Sequence, residues 1–350
     1  MDLKLQLIEK EKEMKDNKYV VYWLLAGCAL IFIMVVVGGI TRLTHSGLSM
    51  SDYNLITGTI PPLNENEWQE AFDLYKQYPE YQKLNYNFTI EDFKAIYFWE
   101  WLHRVLGRLI GLVFFFPFVY FLIRKRLSNA TIKKSIFLMI LGGFQGFLGW
   151  YMVKSGLIDR PDVSHYRLAA HLTTAFITFA CTLWVALDLV YPKKKVINKR
   201  FRNLIRLGFA ILLLQIIYGA FVAGLDAGFI HNHWPMMSEG KFIHPTVYSE
   251  QDPLYLNFIE GKSGVQFVHR MLAYVVVGMI LWIWQQSKKL ELTKNQKKGV
   301  NSLLILVSLQ FLLGVLTIML QVPVWLGLAH QIGAFMLLTG MTFTLHRFSK

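Results

Sequence analysis

Eight apolar blocks constrain this chain more than any other feature. They lie near residues 19–41, 104–123, 135–153, 169–191, 204–224, 265–286, 301–322 and 325–345. Each approaches the roughly 20 residues that a helix needs to cross a hydrocarbon layer, and each is too long for a core strand. In lipid no water satisfies backbone N–H and C=O groups, so such blocks must cross as internally bonded helices. The expected fold class is an all-α polytopic membrane protein with eight transmembrane helices. Composition agrees, with 54% hydrophobic and only 17% charged residues among 350.

A net charge of +13 would suit a nucleic-acid partner, but its distribution excludes that reading. Lys and Arg number five in residues 1–18, five in 124–134, seven in 193–206, five in 288–298 and two in the last five residues. Acidic or mixed segments alternate with these. The connection after the first block carries Asp52, Glu65, Glu67, Glu70, Asp73, Glu80, Glu91 and Asp92 against three Lys. The positive-inside bias then puts both termini in the cytoplasm, and the basic charge reads as topology. An N-terminus that mixes Lys with Asp and Glu is unlike a transit or signal peptide, which points to a bacterial inner (plasma) membrane. Membrane lipid is the expected surrounding, and whether the chain forms a homo-oligomer is left open. Cys28 and Cys181 fall inside different blocks and read as small buried apolar residues.

The second half replays the first. Gly219-Ala220 with Ala227-Gly228 matches Gly38-Gly39 with Ser46-Gly47, and His269-Arg270 with Leu272 matches His103-Arg104 with Leu106. Gln310 with Gly314 matches Gln145 with Gly149, and His330 with Ala334-Phe335 matches His171 with Ala175-Phe176. A tandem duplication of a four-helix bundle explains all four matches in order. The expected organisation is a tail (1–18), an N-terminal half (19–192), a basic cytoplasmic linker (193–206) and a C-terminal half (207–350). Four helices return the chain to its starting side, so the halves are parallel repeats about an axis along the membrane normal.

Six of the ten His fall outside the spans: His45, His165, His231, His233 and His244 in outer connections, and His346 at the inner C-terminus. The other four, His103, His171, His269 and His330, occur once each near the start of every even-numbered span. Any one alone reads equally well as a helix-start polar residue. That reading does not account for one per even span at matching repeat positions. All even spans run inward, so the four imidazoles lie at one depth near the outer face. Two facing His per bundle suit a haem iron held from both sides; a bare metal site would call for more ligands. Arg104, Arg108 and Arg270 beside them would suit haem propionates, or would snorkel to the interface. Loop His read as solvated groups, with His231-Asn232-His233 the one pairing worth testing.

These motifs resemble those of the heme A synthase family, in its proteobacterial and mitochondrial branch. The match is carried by Gly38 through Thr44 with Ser46 through Met50, by Glu100-Trp101-Leu102-His103-Arg104 with Gly107-Arg108, and by Ala223-Gly224 through Asn232 with Trp234-Pro235-Met236. It covers essentially the whole chain. The resemblance implies oxidation of the C8 methyl of heme O to a formyl group, by successive hydroxylations and dehydration, to supply heme A to terminal oxidases. It implies substrate haem between His103 and His171, a cofactor heme b between His269 and His330, and an essential carboxylate at Glu100. Arg42, in the matched Gly-Gly-Ile-Thr-Arg run, joins the haem-pocket candidates. A heme O synthase and an electron acceptor or donor are the implied partners. The loop cysteine pair of some bacterial relatives is absent, so no thiol role carries over.

The repeat itself adds an asymmetry. Aligning His103 with His269 sets Glu100 opposite Gln266 and leaves Arg108 without a basic counterpart. A haem used only for electron transfer needs no carboxylate, whereas methyl oxidation releases protons and electrons. Glu100 would act as a base or as an electrostatic stabiliser. Two rival readings are a bis-His diheme electron-transfer cytochrome and a haem transporter or chaperone. The first would stack its haems at two depths, and the second would not need Glu100.

Overall fold

The computed structural model describes residues 2–50, 57–156, 162–191 and 198–349; Met1, Asp52, Arg160 and residues 193–197 of the basic linker lie outside the described residues. The described residues contain ten α-helices and no β-strand. They are α1 (Asp2–Leu43), α2 (Glu65–Tyr75), α3 (Pro79–Lys83), α4 (Ile90–Ile123), α5 (Asn129–Gly156), α6 (His165–Val190), α7 (Lys199–Gly224), α8 (Lys262–Ser287), α9 (Lys294–Met319) and α10 (Val324–Arg347). All but α2 and α3 are long and apolar enough to cross a membrane, so the eight expected spans are all present.

Local chemistry places several helix starts. The Thr89 hydroxyl accepts from the Asp92 N–H while the Asp92 carboxylate accepts from the Thr89 N–H, and this capping box opens α4 at Ile90. Thr293 and Gln296 form the same box at α9. Helix α4 therefore begins more than three turns before the apolar block that marked it, so Glu100 and His103 lie well inside the helix. His165 likewise opens α6 rather than lying in a loop.

Pro117 sits within α4, which continues unbroken to Ile123. A proline has no N–H for the carbonyl four residues back. That carbonyl, of Val113, accepts instead from the Trp23 indole N–H on α1, at 3.1 Å. Inside a membrane a carbonyl without a partner would cost several kcal/mol on the order-of-magnitude scale, so Trp23 offsets the proline directly.

The packing repeats. Helix α1 lies against α4 and α6, and α5 against α6 and, less closely, α4; α7 lies against α8 and α10, and α9 against α10 and α8. Helices α1, α6, α7 and α10 form the shared wall. At its centre Phe176 and Phe335, which occupy matching repeat positions, meet edge to face at 5.3 Å. Phe179, Leu212, Ile216 and Leu338 bury beside them. Lipid tails are as apolar as these residues, so tight contact is what holds this wall together. Outside the spans, α2 and α3 pack an aromatic cap of Trp68, Phe72, Tyr75, Phe93 and Tyr97 over the extended start of α4.

Candidate functional site

Each of the four span histidines rests on a glycine of the neighbouring helix. A Cβ built on Gly38 would lie 2.9 Å from His103 Cε1; on Gly149, 3.2 Å from His171; on Gly219, 3.2 Å from His269; on Gly314, 2.9 Å from His330. Real Cβ atoms essentially never approach as closely as 2.9 Å, so Gly38 and Gly314 could take a side chain only if the imidazole or helix shifted, and Gly149 and Gly219 leave only slightly more room. All four are the glycines of the sequence repeat, at matching positions on α1 and α7 and on α5 and α9. The repeated Gln145 and Gln310 belong to the same seats. The Gln145 amide donates to the His171 carbonyl at 2.8 Å, and the Gln310 amide lies 3.2 Å from the His330 ring.

In the second half the rings of His269 and His330 face each other with centroids 6.4 Å apart and planes 81° apart. A metal–imidazole bond of about 2.0 Å, with the ring centre about 1.1 Å beyond the nitrogen, spaces two opposed ligands by ~6.2 Å. The pair therefore fits one iron between two imidazoles. No group of three or more His, Cys, Asp or Glu among the described residues could hold a bare metal ion. The cavity between these rings is apolar, with Gln215, Gln310, Arg270 and Arg42 as polar groups in its wall. The first half completes that wall: Gly39, Arg42 and His45 from α1 and its end, and Leu172 and Phe176 from α6.

Glu100 is buried at 3% exposure. Its carboxylate accepts from Ser49 Oγ at 2.8 Å and the Met50 N–H at 2.8 Å, and pairs with Arg104 at 2.6 Å. Arg104 also donates to the Met50 carbonyl at 2.9 Å. Arg108 reaches the same connection, 3.6 Å from where a Gly58 side chain would begin. In the second half Gln266 donates to the Ala227 and His231 carbonyls, at 2.9 and 3.2 Å. Arg270 donates to the carbonyls of His231, His233 and Met236, at 2.8 to 3.2 Å. Arg42 on α1 crosses to the other half, bonding the Ala223 carbonyl at 2.5 Å and Asp226 at 2.8 Å. The arginines predicted beside the histidines thus all reach the connections that follow α1 and α7, and Arg42 and Arg270 also border the second cavity.

The loop histidines sort differently from the sequence pairing. His231 faces His244, with ring centroids at 4.7 Å, and bonds Ser263; His233 is not part of that contact. The intervening Asn232 serves the backbone, donating to the carbonyls of Gly228 and Ile318. Burial first, then neighbouring His244 and Arg270, lowers the His231 pKa, which keeps the imidazole neutral. The sequence motif contained Ser49 and Met50 but gave them no role, and sequence reasoning missed Asp226 and Gln215. Only the repeated small-residue run ahead of Ser49 and Met50 pointed toward the first two, because the partners of all four are distant in the chain.

Comparison with known proteins places these features in a group. A sequence model of the COX15-CtaA family, described as cytochrome oxidase assembly protein, matches residues 21–342. The chain is 63% identical over 340 residues to a protein of Flavobacterium johnsoniae named heme A synthase, covering 96% of this chain and 99% of that one. A heme A synthase of Flavobacterium psychrophilum is 61% identical, covering 96% and 100%. One of Parvibaculum lavamentivorans is 44% identical, covering 97% of both chains.

Proposed function

The chain belongs to the COX15-CtaA family of multi-pass membrane proteins, and we propose that it oxidises the C8 methyl of heme O to the formyl group of heme A. Substrate haem would lie between His103 and His171, and a resident heme b between His269 and His330. The observation that carries this division is the contrast between two otherwise matching sites, one with a buried carboxylate at Glu100 and one with the neutral Gln266. Charge placed beside a reacting centre in a water-poor site acts far more strongly than in water.

A bound heme b supplies reversible one-electron acceptance. The rest falls to side chains. His269 and His330, seated by Gly219 and Gly314, are the residues that would hold that haem. Arg42 and Arg270, bordering that cavity, are suited to its propionates, while Arg104 and Arg108 reach the connection after α1, beside Glu100. Glu100, fixed by Ser49, Met50 and Arg104, neutralises Arg104 one turn outside His103, so positive charge developing at the substrate edge would not meet an unpaired guanidinium. The basic segments support cytoplasmic termini and haem sites near the outer face of a bacterial inner membrane. Heme O synthase, which makes the substrate, and a redox partner for the resident haem are the expected associates.

Co-expression with a source of heme O, followed by extraction and chromatography of the pigments, tests the reaction. Heme A appears only when this chain is present; its absence from cells that accumulate heme O rejects the proposal.

A further inference from the structure

Protons leaving an oxidised methyl group need an acceptor, and Glu100 is poorly placed to serve alone. Its oxygens are already engaged by Ser49, Met50 and Arg104, which is the arrangement of a fixed charge. A second buried carboxyl lies in the aromatic cap outside it. Glu80, on α3, is 4% exposed. The Tyr75 hydroxyl on α2 donates to it at 3.0 Å, and the Asn85 amide donates to that hydroxyl at 2.8 Å. Tyr75 packs on Phe93, and the same cluster contains Met50, whose N–H holds Glu100.

The charged and titratable groups around Glu80 are few. Tyr75 faces it from α2, Glu100 acts on it from α4 and Asp162 from the connection before α6, while Lys83 lies a turn along its own helix. Desolvation pushes its pKa up to about 8, and Glu100 and Asp162 add to the rise, against the Tyr75 hydrogen bond. The two carboxyls have different surroundings: Ser49, Met50 and Arg104 hold Glu100, while Glu80 takes the Tyr75 hydroxyl within the aromatic cap. A purely structural Glu80, there to anchor Tyr75, would need no ionisation during turnover. That difference is measurable.

We propose that Glu80 is the proton acceptor through which the first-half site discharges protons to the outer face, with Tyr75 as its positioning residue. This rests on the methyl-oxidation reading above. With water as the oxygen donor, each hydroxylation would break a methyl C–H bond, form a C–O bond and release two electrons and two protons. The electrons are taken singly by a haem acceptor, and each proton adds in turn to the Glu80 carboxylate to give the neutral acid. The acid then loses that proton to external solvent, and the carboxylate is restored.

The test uses the full-length protein in lipid nanodiscs with its haem, supplied with heme O from about pH 6 to about pH 10. The wild-type rate rises through a limb centred near pH 8, as Glu80 becomes the carboxylate. Glu80→Gln loses the limb, and its rate above that pH falls about tenfold or more. Tyr75→Phe removes a hydrogen bond that stabilises the carboxylate, so its limb moves to higher pH. In parallel, the infrared band of a protonated carboxyl titrates near pH 8 in the wild type, shifts in Tyr75→Phe and is missing from Glu80→Gln. Should Glu80→Gln not fold, Tyr75→Phe keeps the carboxyl and decides alone. A limb and infrared band that persist unchanged in Glu80→Gln, or, where that variant does not fold, that stay unmoved in Tyr75→Phe, overturn the relay while leaving the oxidation reading intact. No heme A from the wild type overturns the oxidation reading and the relay together.

Discussion

The two halves bind the same loop bond with different chemistry beside it. Arg104 donates to the Met50 carbonyl at 2.9 Å, and Arg270 donates to the carbonyl of the matching His231 at 2.8 Å. One turn away, at the position of Glu100 and Gln266, the likeness ends. Glu100 accepts from its loop and neutralises its arginine; Gln266 donates to its loop and leaves Arg270 to backbone carbonyls alone. The shared contacts are scaffold, because an arginine anchored on carbonyls holds a connection in place whatever the bundle does. The unshared carboxylate is the part that scaffold does not require. A second difference lies at the wall, where Arg42 crosses from the first half to the second cavity while its repeat position, Ala223, offers only a carbonyl in return.

The comparison is broken most completely by removing one ligand per half. On the proposed division of roles, His269→Ala removes the resident haem, so the purified protein loses its haem spectrum. His103→Ala keeps that spectrum and makes no heme A. Equal spectral loss in both variants would show that the halves are not specialised. Next, Glu100→Gln retains resident haem content and lowers heme A formation by about 100-fold or more, the usual cost of removing an electrostatic stabiliser. Wild-type rates in that variant would remove Glu100 from the chemistry.

Smaller effects sharpen the shared parts. Gly314→Ala sets a methyl 2.9 Å from His330, and the displaced ring or helix costs about 1–3 kcal/mol in overpacking. Its readouts are weaker haem retention during dilution and a lower unfolding temperature, with Gly38→Ala disturbing only the substrate side. The mildest change is Asp226→Asn, which loosens Arg42. The pair is partly exposed, at 23% and 35% of its side chains, and Arg42 keeps the Ala223 carbonyl. Thermal unfolding should fall by less than about 1 kcal/mol, with a small change in haem retention. A large loss would mean that Arg42 is held in its haem-side position by Asp226.

Much of this was legible in the chain. Helix number and length follow from the cost of bringing unbonded backbone into lipid, so the apolar blocks were sufficient. The four-histidine set, its glycines and its glutamines were legible because the duplication wrote each of them twice. Helix boundaries were less so. No uninterrupted apolar run marks residues 90–103, and it is the Thr89–Asp92 box that starts α4 well before the apolar block.

What the sequence by itself determined, then, is the membrane architecture, the repeat, and which residue types each half possesses. These depend on local solvation and on composition along the chain. Only the tertiary structure decided which groups those residues address. It brought Ser49 and Met50 to Glu100, sent Arg42 across to Asp226, paired His231 with His244, and gave the carbonyl opposite Pro117 to Trp23. Such partners are far apart in sequence, and each polar atom in a dry interior must take whichever donor or acceptor the packing brings within about 3 Å.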